Sequence, residues 1–191
     1  NLVTGAESGM RVYSNTYLDD VGVIGREIYR FSGSEPRWTT DILGGGSKRL
    51  DNNTYYITNP YAARYQVARQ CFILMEAVKN AKPEVASDVQ KKAFNGFAKT
   101  LIGFQLLMNL NLTDSSGVRI PVADNANLGP IITNPGIVLD SILKFLDEGK
   151  ADLTGSEVIF PLSEGFAGFK DATGLLRFNR ALAARVNTYR K

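Results

Sequence analysis

From residue 60 onward the apolar positions recur at helical spacing. Tyr61, Tyr65, Ala68, Phe72 and Met75 follow one another at steps of four and three, and Val67, Cys71, Leu74 and Val78 form an adjacent stripe. Asn59-Pro60 stands in front of them as a capping residue followed by Pro at the first helical position, so a helix is predicted from there to about Ala81. Lys82-Pro83 interrupts the pattern and opens a second helix over 84–112. Its first half is amphipathic (Val85, Val89, Ala93, Phe97), and its second half, Ala98 to Leu112, is apolar nearly all round, which predicts a central position. Asn134-Pro135 repeats the opening device, and Val138, Ile142, Phe145 and Leu146 share one face of a helix running to about Asp152. Asp171 can cap a last helix over 172–190, where Leu175, Phe178, Leu182, Val186 and Tyr189 form the apolar stripe. Arg177 and Arg180 lie opposite that stripe, and Arg185 lies at its margin.

The first 59 residues are less regular. Thr4 to Leu18 and Val21 to Phe31 read as short helices, whereas Ser32 to Asn59 is a loop by composition, rich in Gly, Ser, Thr and Asn. A second loop, Thr113 to Thr133, contains a turn at Asp114-Ser115-Ser116-Gly117 and an extended piece at Ile120-Pro121-Val122. The pattern predicts a mainly α chain, a single helical domain over 1–191 with a loop-rich part (1–59) and a scaffold of helix pairs (60–191). Such pairs stack in α-solenoids, but the 34-residue tetratricopeptide consensus is absent, so any repeat is degenerate.

Composition narrows the chemistry. A chain of 191 residues suits one domain at roughly 100–200 residues each, and 44% hydrophobic with 21% charged residues opposes disordered, collagen-like and coiled-coil readings. There is no His and a single Cys, which removes the commonest general base, the commonest metal ligand, any internal disulfide and any thiolate cluster. No metal or cofactor is expected. The net charge of +3 arises mainly from residues 60–133, with eight cations against five acids, and forms no nucleic-acid-binding stripe. The apolar run Ala98 to Leu112 is interrupted by Lys99, Gln105, Asn109 and Asn111 and falls short of the about 20 residues that span a bilayer. No basic segment followed by an apolar run follows Asn1, so no signal peptide is expected in this chain.

The candidate binding residues lie in the first long loop. Trp38, Tyr55 and Tyr56 supply rigid aromatic area suited to a sugar or another flat-faced ligand, and Asp41, Asn52 and Asn53 can add polar contacts. The competing reading has Trp38 filling a gap in the core while the tyrosines cap the first long helix. Arg177, Arg180, Arg185 and Arg190 fit a solvated helix face near a C-terminus better than an anion site. Gly44-Gly45-Gly46-Ser47-Lys48 is not a phosphate loop, because Ser47 stands where Gly must precede Lys. A glycosidase would need a carboxylate pair, and the spacing of Asp19, Asp20, Glu35 and Asp41 selects none, so no enzyme is expected.

Several segments taken in order resemble the SusD/RagB family of Bacteroidetes surface lipoproteins. Lys91-Lys92-Ala93-Phe94 through Ala98-Lys99 to Phe104-Gln105-Leu106-Leu107 is similar to the family's alanine- and aromatic-rich helix, and Ile120-Pro121-Val122 follows it as in the family. Ile142-Leu143-Lys144-Phe145-Leu146-Asp147-Glu148-Gly149-Lys150-Ala151-Asp152-Leu153 and Phe178-Asn179-Arg180-Ala181-Leu182-Ala183-Ala184-Arg185-Val186 resemble its next two helices. The resemblance covers roughly residues 20–191 and is strongest from 60 on. It implies a tetratricopeptide-like scaffold with ligand-facing loops and a nutrient, a glycan first of all, bound at the outer-membrane cell surface for delivery to a SusC-like TonB-dependent transporter. Family members are longer, so it also implies part of a longer protein or an unusually short member, with membrane attachment only through a lipid anchor that this chain lacks. The alternative function is a helical-repeat scaffold that binds another protein.

Overall fold

The computed structural model describes residues 2–45, 49–120, 122–124 and 126–190. Six α-helices follow in order: α1 (Leu2–Gly9), α2 (Ser14–Ile24), α3 (Tyr55–Lys79), α4 (Asp88–Thr113), α5 (Pro135–Leu153) and α6 (Ala172–Tyr189). The described residues are mainly helical, and their one β-type pairing is an isolated antiparallel bridge between Val118 and Ile132.

Two helix starts obey the local signals. Asn134 Oδ1 accepts from the amides of Gly136 (2.9 Å) and Ile137 (3.3 Å) to open α5, and Asp171 Oδ1 accepts from Gly174 N at 2.7 Å to open α6. Two other starts differ from expectation. α3 begins at Tyr55, ahead of Pro60, which sits inside its second turn. Having no N–H, Pro60 forgoes the bond to the carbonyl of Tyr56. α4 begins at Asp88 rather than after Pro83, because Ser87 and Gln90 form a capping box in which Gln90 Oε1 accepts from Ser87 N at 3.0 Å.

The N-terminal expectations need a larger correction. The helix expected over Thr4–Leu18 is broken between Gly9 and Ser14, with Tyr13 left-handed at φ 53°. Buried Arg64 of α3 crosses to the break and donates to the carbonyls of Met10 (3.0 Å), Val12 and Gly9. Gly9 closes the last turn of α1, and Met10 and Val12 lie in the break itself, so one guanidinium ties together the segment that joins the two helices. The helix expected over Val21–Phe31 ends at Ile24, where Arg26 takes a positive φ of 64° and Glu27 N returns to Gly22 O at 2.9 Å. The Ser32–Asn59 loop contains a π-helical turn at Trp38–Ile42.

α4 is the central element, packed against α3 on one side and α5 on the other, with α6 on α5 and with α1 and α2 on α3. Its second half supplies Leu101, Ile102, Leu106 and Leu107 to one continuous core, joined by Val3 and Ala6 of α1, Val67 and Cys71 of α3, Ile142 and Leu146 of α5 and Val186 of α6. The α4–α5 crossing is close because of Gly96: a Cβ there would stand 2.6 Å from Leu153 Cγ and 2.9 Å from Gly149 O. Asn179 Nδ2 of α6 donates to Thr100 Oγ1 (2.7 Å) and Leu146 O (3.0 Å), so a single amide joins three helices. Arg180 is not confined to the solvated face. It reaches α5, donating to Asp147 Oδ1 and Leu146 O, both at 2.8 Å.

Candidate functional site

The loop residues expected to bind a ligand divide by burial. Trp38 (5% exposed) and Tyr56 (7%) form a second, smaller core with Val23, Ile42 and Ile57. The π-helical turn carries Trp38 inward, and the first turn of α3 carries Tyr56 against it, with ring centroids 4.2 Å apart. Tyr55 stands on the outer side of Tyr56, also at 4.2 Å, and is 40% exposed. The three aromatics meet, but they stack on one another. Arg30 lies 4.9 Å from the Trp38 ring and Arg37 lies 4.8 Å from the Tyr55 ring, so guanidinium groups take up the remaining ring area.

The polar candidates sit apart from those faces. Half-buried Asp41 accepts from Thr40 Oγ1 (2.8 Å) and Thr54 Oγ1 (3.3 Å), which commits both of its oxygens to holding the loop closed. Asn52 and Asn53 are exposed, and Asn53 N donates to Asp51 Oδ1 at 2.9 Å. Glu35 pairs with Arg37, whose guanidinium holds the carboxyl down at about 2. The rejected phosphate-loop segment includes residues 46–48, which lie outside the described residues, as does Pro121 of the expected extended piece.

Asp20 has an unusual environment for a carboxylate. It is fully buried and neither oxygen has a hydrogen-bond partner, so burial, with the charge of Asp19 second, pushes its carboxyl up to about 8. A general acid must reach its substrate, and these oxygens reach no surface. Asp19, the other member of this sequence pair, is bound to Arg30.

A concave site lies between α3 and the segment that the Val118–Ile132 bridge closes off. Tyr61, Tyr65 and Arg69 succeed one another at four-residue spacing on α3, which places them on one face of the helix. With Gln66, Arg119, Val122 and Leu128 they line a cleft of about 360 Å³. The tyrosine rings meet edge to face at 4.9 Å, and Tyr61 Oη donates to Tyr65 Oη at 3.4 Å. Tyr65 Oη also accepts from Arg119 N at 2.8 Å, which fixes the opposite wall against the helix, and burial raises the Tyr65 phenol above its usual range. Arg69 donates to Ala123 O and Arg119 to Gly129 O, so both guanidiniums are anchored through one nitrogen. Behind the tyrosines, buried Asn109 of α4 donates to Tyr61 O at 3.3 Å.

The apolar pattern places Tyr61 and Tyr65 on a helix stripe and singles out neither Arg69 nor Arg119. The four-residue spacing of Tyr61, Tyr65 and Arg69 was the available signal. Nothing local pointed to Arg119, which arrives from a loop fifty residues away.

Among the described residues no group of three or more His, Cys, Asp or Glu could hold a metal ion, and no helix is long and apolar enough to cross a membrane. Comparison with known proteins gave no matching family model, no matching curated protein and no matching solved structure.

Proposed function

We propose that the chain is the ligand-holding scaffold of a SusD/RagB-type nutrient-binding protein, which captures a glycan at the outer-membrane surface and passes it to a SusC-like transporter without making or breaking a bond. In this reading, α3–α4 and α5–α6 are tetratricopeptide-like helix pairs. The observation that carries the proposal is the α3 cleft. Two aromatic rings mounted on a rigid helix, beside an amide and two guanidinium groups, are the surface a sugar ring requires, apolar faces for its C–H groups and planar donors for its hydroxyls. The ligand then binds at Tyr61, Gln66, Arg69 and Arg119, with Tyr55 and Asn52 as the accessible members of the loop cluster.

Calorimetric titration of the purified chain with a panel of oligosaccharides tests this. Tyr61→Ala is expected to weaken binding about five- to thirtyfold, in line with the loss of an aromatic contact worth about 1–2 kcal/mol. Tyr55→Ala serves as the comparison at the loop. Absence of binding by every panel member, or unchanged binding by Tyr61→Ala, refutes the assignment.

A second reading, an interaction scaffold for another protein, has its own support. Ile24, Ile28, Tyr29 and Phe31 are all exposed, Phe31 at 82%, and the rings of Tyr29 and Phe31 stack at 5.9 Å with planes 5° apart. Exposed apolar strips of this kind mark contact surfaces. A partner protein recovered with the wild type but lost with Phe31→Asp, together with no saccharide binding, would favour it.

A further inference from the structure

We propose that the ligand of the α3 cleft carries an oxyanion, a carboxylate or sulfate ester on a sugar ring, held between Arg69 and Arg119. The inference rests on the ligand-binding reading above and names the class of saccharide.

Charge balance is the first argument. The ion pairs of the described residues engage Arg11, Arg30, Arg37, Arg180 and Arg190 and three lysines, whereas Arg69 and Arg119 have no acidic partner. None of the residues lining the cleft is acidic. The nearest acid along the opposite wall is Asp124, which is exposed and whose Oδ1 is occupied by Ala126 N at 2.8 Å. Two cations therefore share a concavity whose described lining residues include no acid, in the segment that carries most of the chain's positive surplus.

Preorganisation is the second. Both arginines are half-buried, and each spends one terminal nitrogen on a backbone carbonyl of the 118–129 segment. A guanidinium has five N–H donors, so this anchorage leaves most of the fork available while removing much of the rotational freedom that binding would otherwise have to restrict. Planar forks of this kind bind carboxylates and sulfates in two-point fashion, and the low polarity of the tyrosine walls strengthens the attraction relative to open water.

The third argument concerns what the cleft would reject. A purely neutral sugar leaves two half-desolvated cations without a counter-charge, while an acidic sugar supplies it and still offers its ring face to Tyr61.

The test titrates the wild-type chain with neutral galactotriose, trigalacturonate and a sulfated galactotriose. At least one acidic probe is expected to bind ten times more tightly than the neutral one, with an advantage that shrinks as salt rises from low to high ionic strength. Preference for trigalacturonate identifies the carboxylate, and preference for the sulfated sugar identifies the sulfate ester. Arg69→Gln and Arg119→Gln are each expected to weaken the acidic probe about ten- to a hundredfold, the usual range for a charge-assisted hydrogen bond, and to leave the neutral probe nearly unchanged. Because Arg119 also holds Gly129 O, Arg119→Lys is measured beside it: keeping the charge while losing the fork, it should recover part of the acidic preference. Equal or tighter binding of galactotriose overturns this inference and leaves the saccharide reading standing. An acidic preference that survives both Gln variants also overturns it. Failure of all three probes removes the saccharide reading and this inference with it.

Discussion

The most informative single change is Asp20→Asn. Asp20 lies on the face of α2 shared with Tyr17 and Val23, all three buried, and its two carboxyl oxygens have no hydrogen-bond partner. Its folded-state value of about 8, set by burial and then by Asp19, compares with an ordinary carboxylate near 4 in the unfolded chain. Between those two values the folded protein keeps a proton that the unfolded chain has released, so raising the pH favours unfolding. The stabilising effect of that bound proton is complete below about pH 4, falls through the interval, and is fully lost above about pH 8. At about 1.4 kcal/mol per pH unit over roughly four units, the loss amounts to about 5 kcal/mol, a large share of the 5–15 kcal/mol that holds a typical domain together.

Asparagine keeps the shape and cannot ionise. The variant should therefore resemble the wild type at about pH 4, where Asp20 is protonated in both the folded and the unfolded chain, and exceed it increasingly as the pH rises. With about 2–4 °C per kcal/mol for a chain of this size, its melting temperature at pH 9 should be higher by about 10–20 °C, less whatever the wild type recovers by opening α2 locally to hydrate the carboxylate. Paired thermal melts of the two proteins from pH 4 to pH 9 isolate the effect, because the other titrating groups cancel in the difference. Glu35, held low by Arg37, acts only at the acid end. A difference between the two proteins that stays constant across the range, or a variant less stable than the wild type at pH 9, refutes the reasoning.

Two further changes probe the packing and the cleft. Trp38→Ala should cost about 3–5 kcal/mol in urea unfolding, the usual range for a buried aromatic, while saccharide binding at the α3 cleft stays the same, since Trp38 packs with Val23, Ile42, Tyr56 and Ile57 away from it. Gly117→Ala should weaken saccharide binding with only local loss of order. Gly117 has φ 83° and an added Cβ would meet Ile132 O at 2.3 Å, so the bridge that positions Arg119 must shift, which the titration of that variant will register.

Where a helix boundary was written in adjacent residues, it could be read. Asn134-Pro135 and Asp171 cap α5 and α6 through amides two and three positions on, and the all-round apolar second half of α4 does lie at the centre. The misread boundaries are those decided by competition or by distant groups. Asn59-Pro60 has the composition of a helix start, yet helical structure extends a full turn ahead of it because Tyr56 and Ile57 gain burial against Trp38 and Ile42. Pro83 lost to the capping box at Ser87 and Gln90. The break between α1 and α2 contains neither Gly nor Pro in residues 10–13. Arg64, fifty positions along the chain, satisfies its carbonyls, and no window around the break includes that residue.

The candidate site was hidden for a related reason. Tyr61 and Tyr65 have the right spacing for a core stripe, and α3 carries two adjacent stripes, of which periodicity alone cannot say which faces α4. Val67, Cys71, Leu74 and Val78 are the fully buried set, which turns Tyr61, Tyr65 and Arg69 toward the edge of the helix pair. That edge becomes a cleft only because the chain returns from α4 through the Val118–Ile132 bridge and sets Arg119 N against Tyr65 Oη. The aromatic loop shows the converse. Trp38, Tyr55 and Tyr56 have the composition of a binding surface, but a loop this long needs its own apolar anchor to stay ordered, and Trp38 and Tyr56 provide it. The cleft proposed for the ligand is instead the helix face that the apolar pattern places on a stripe, where Arg69 and Arg119 form no ion pair among the described residues.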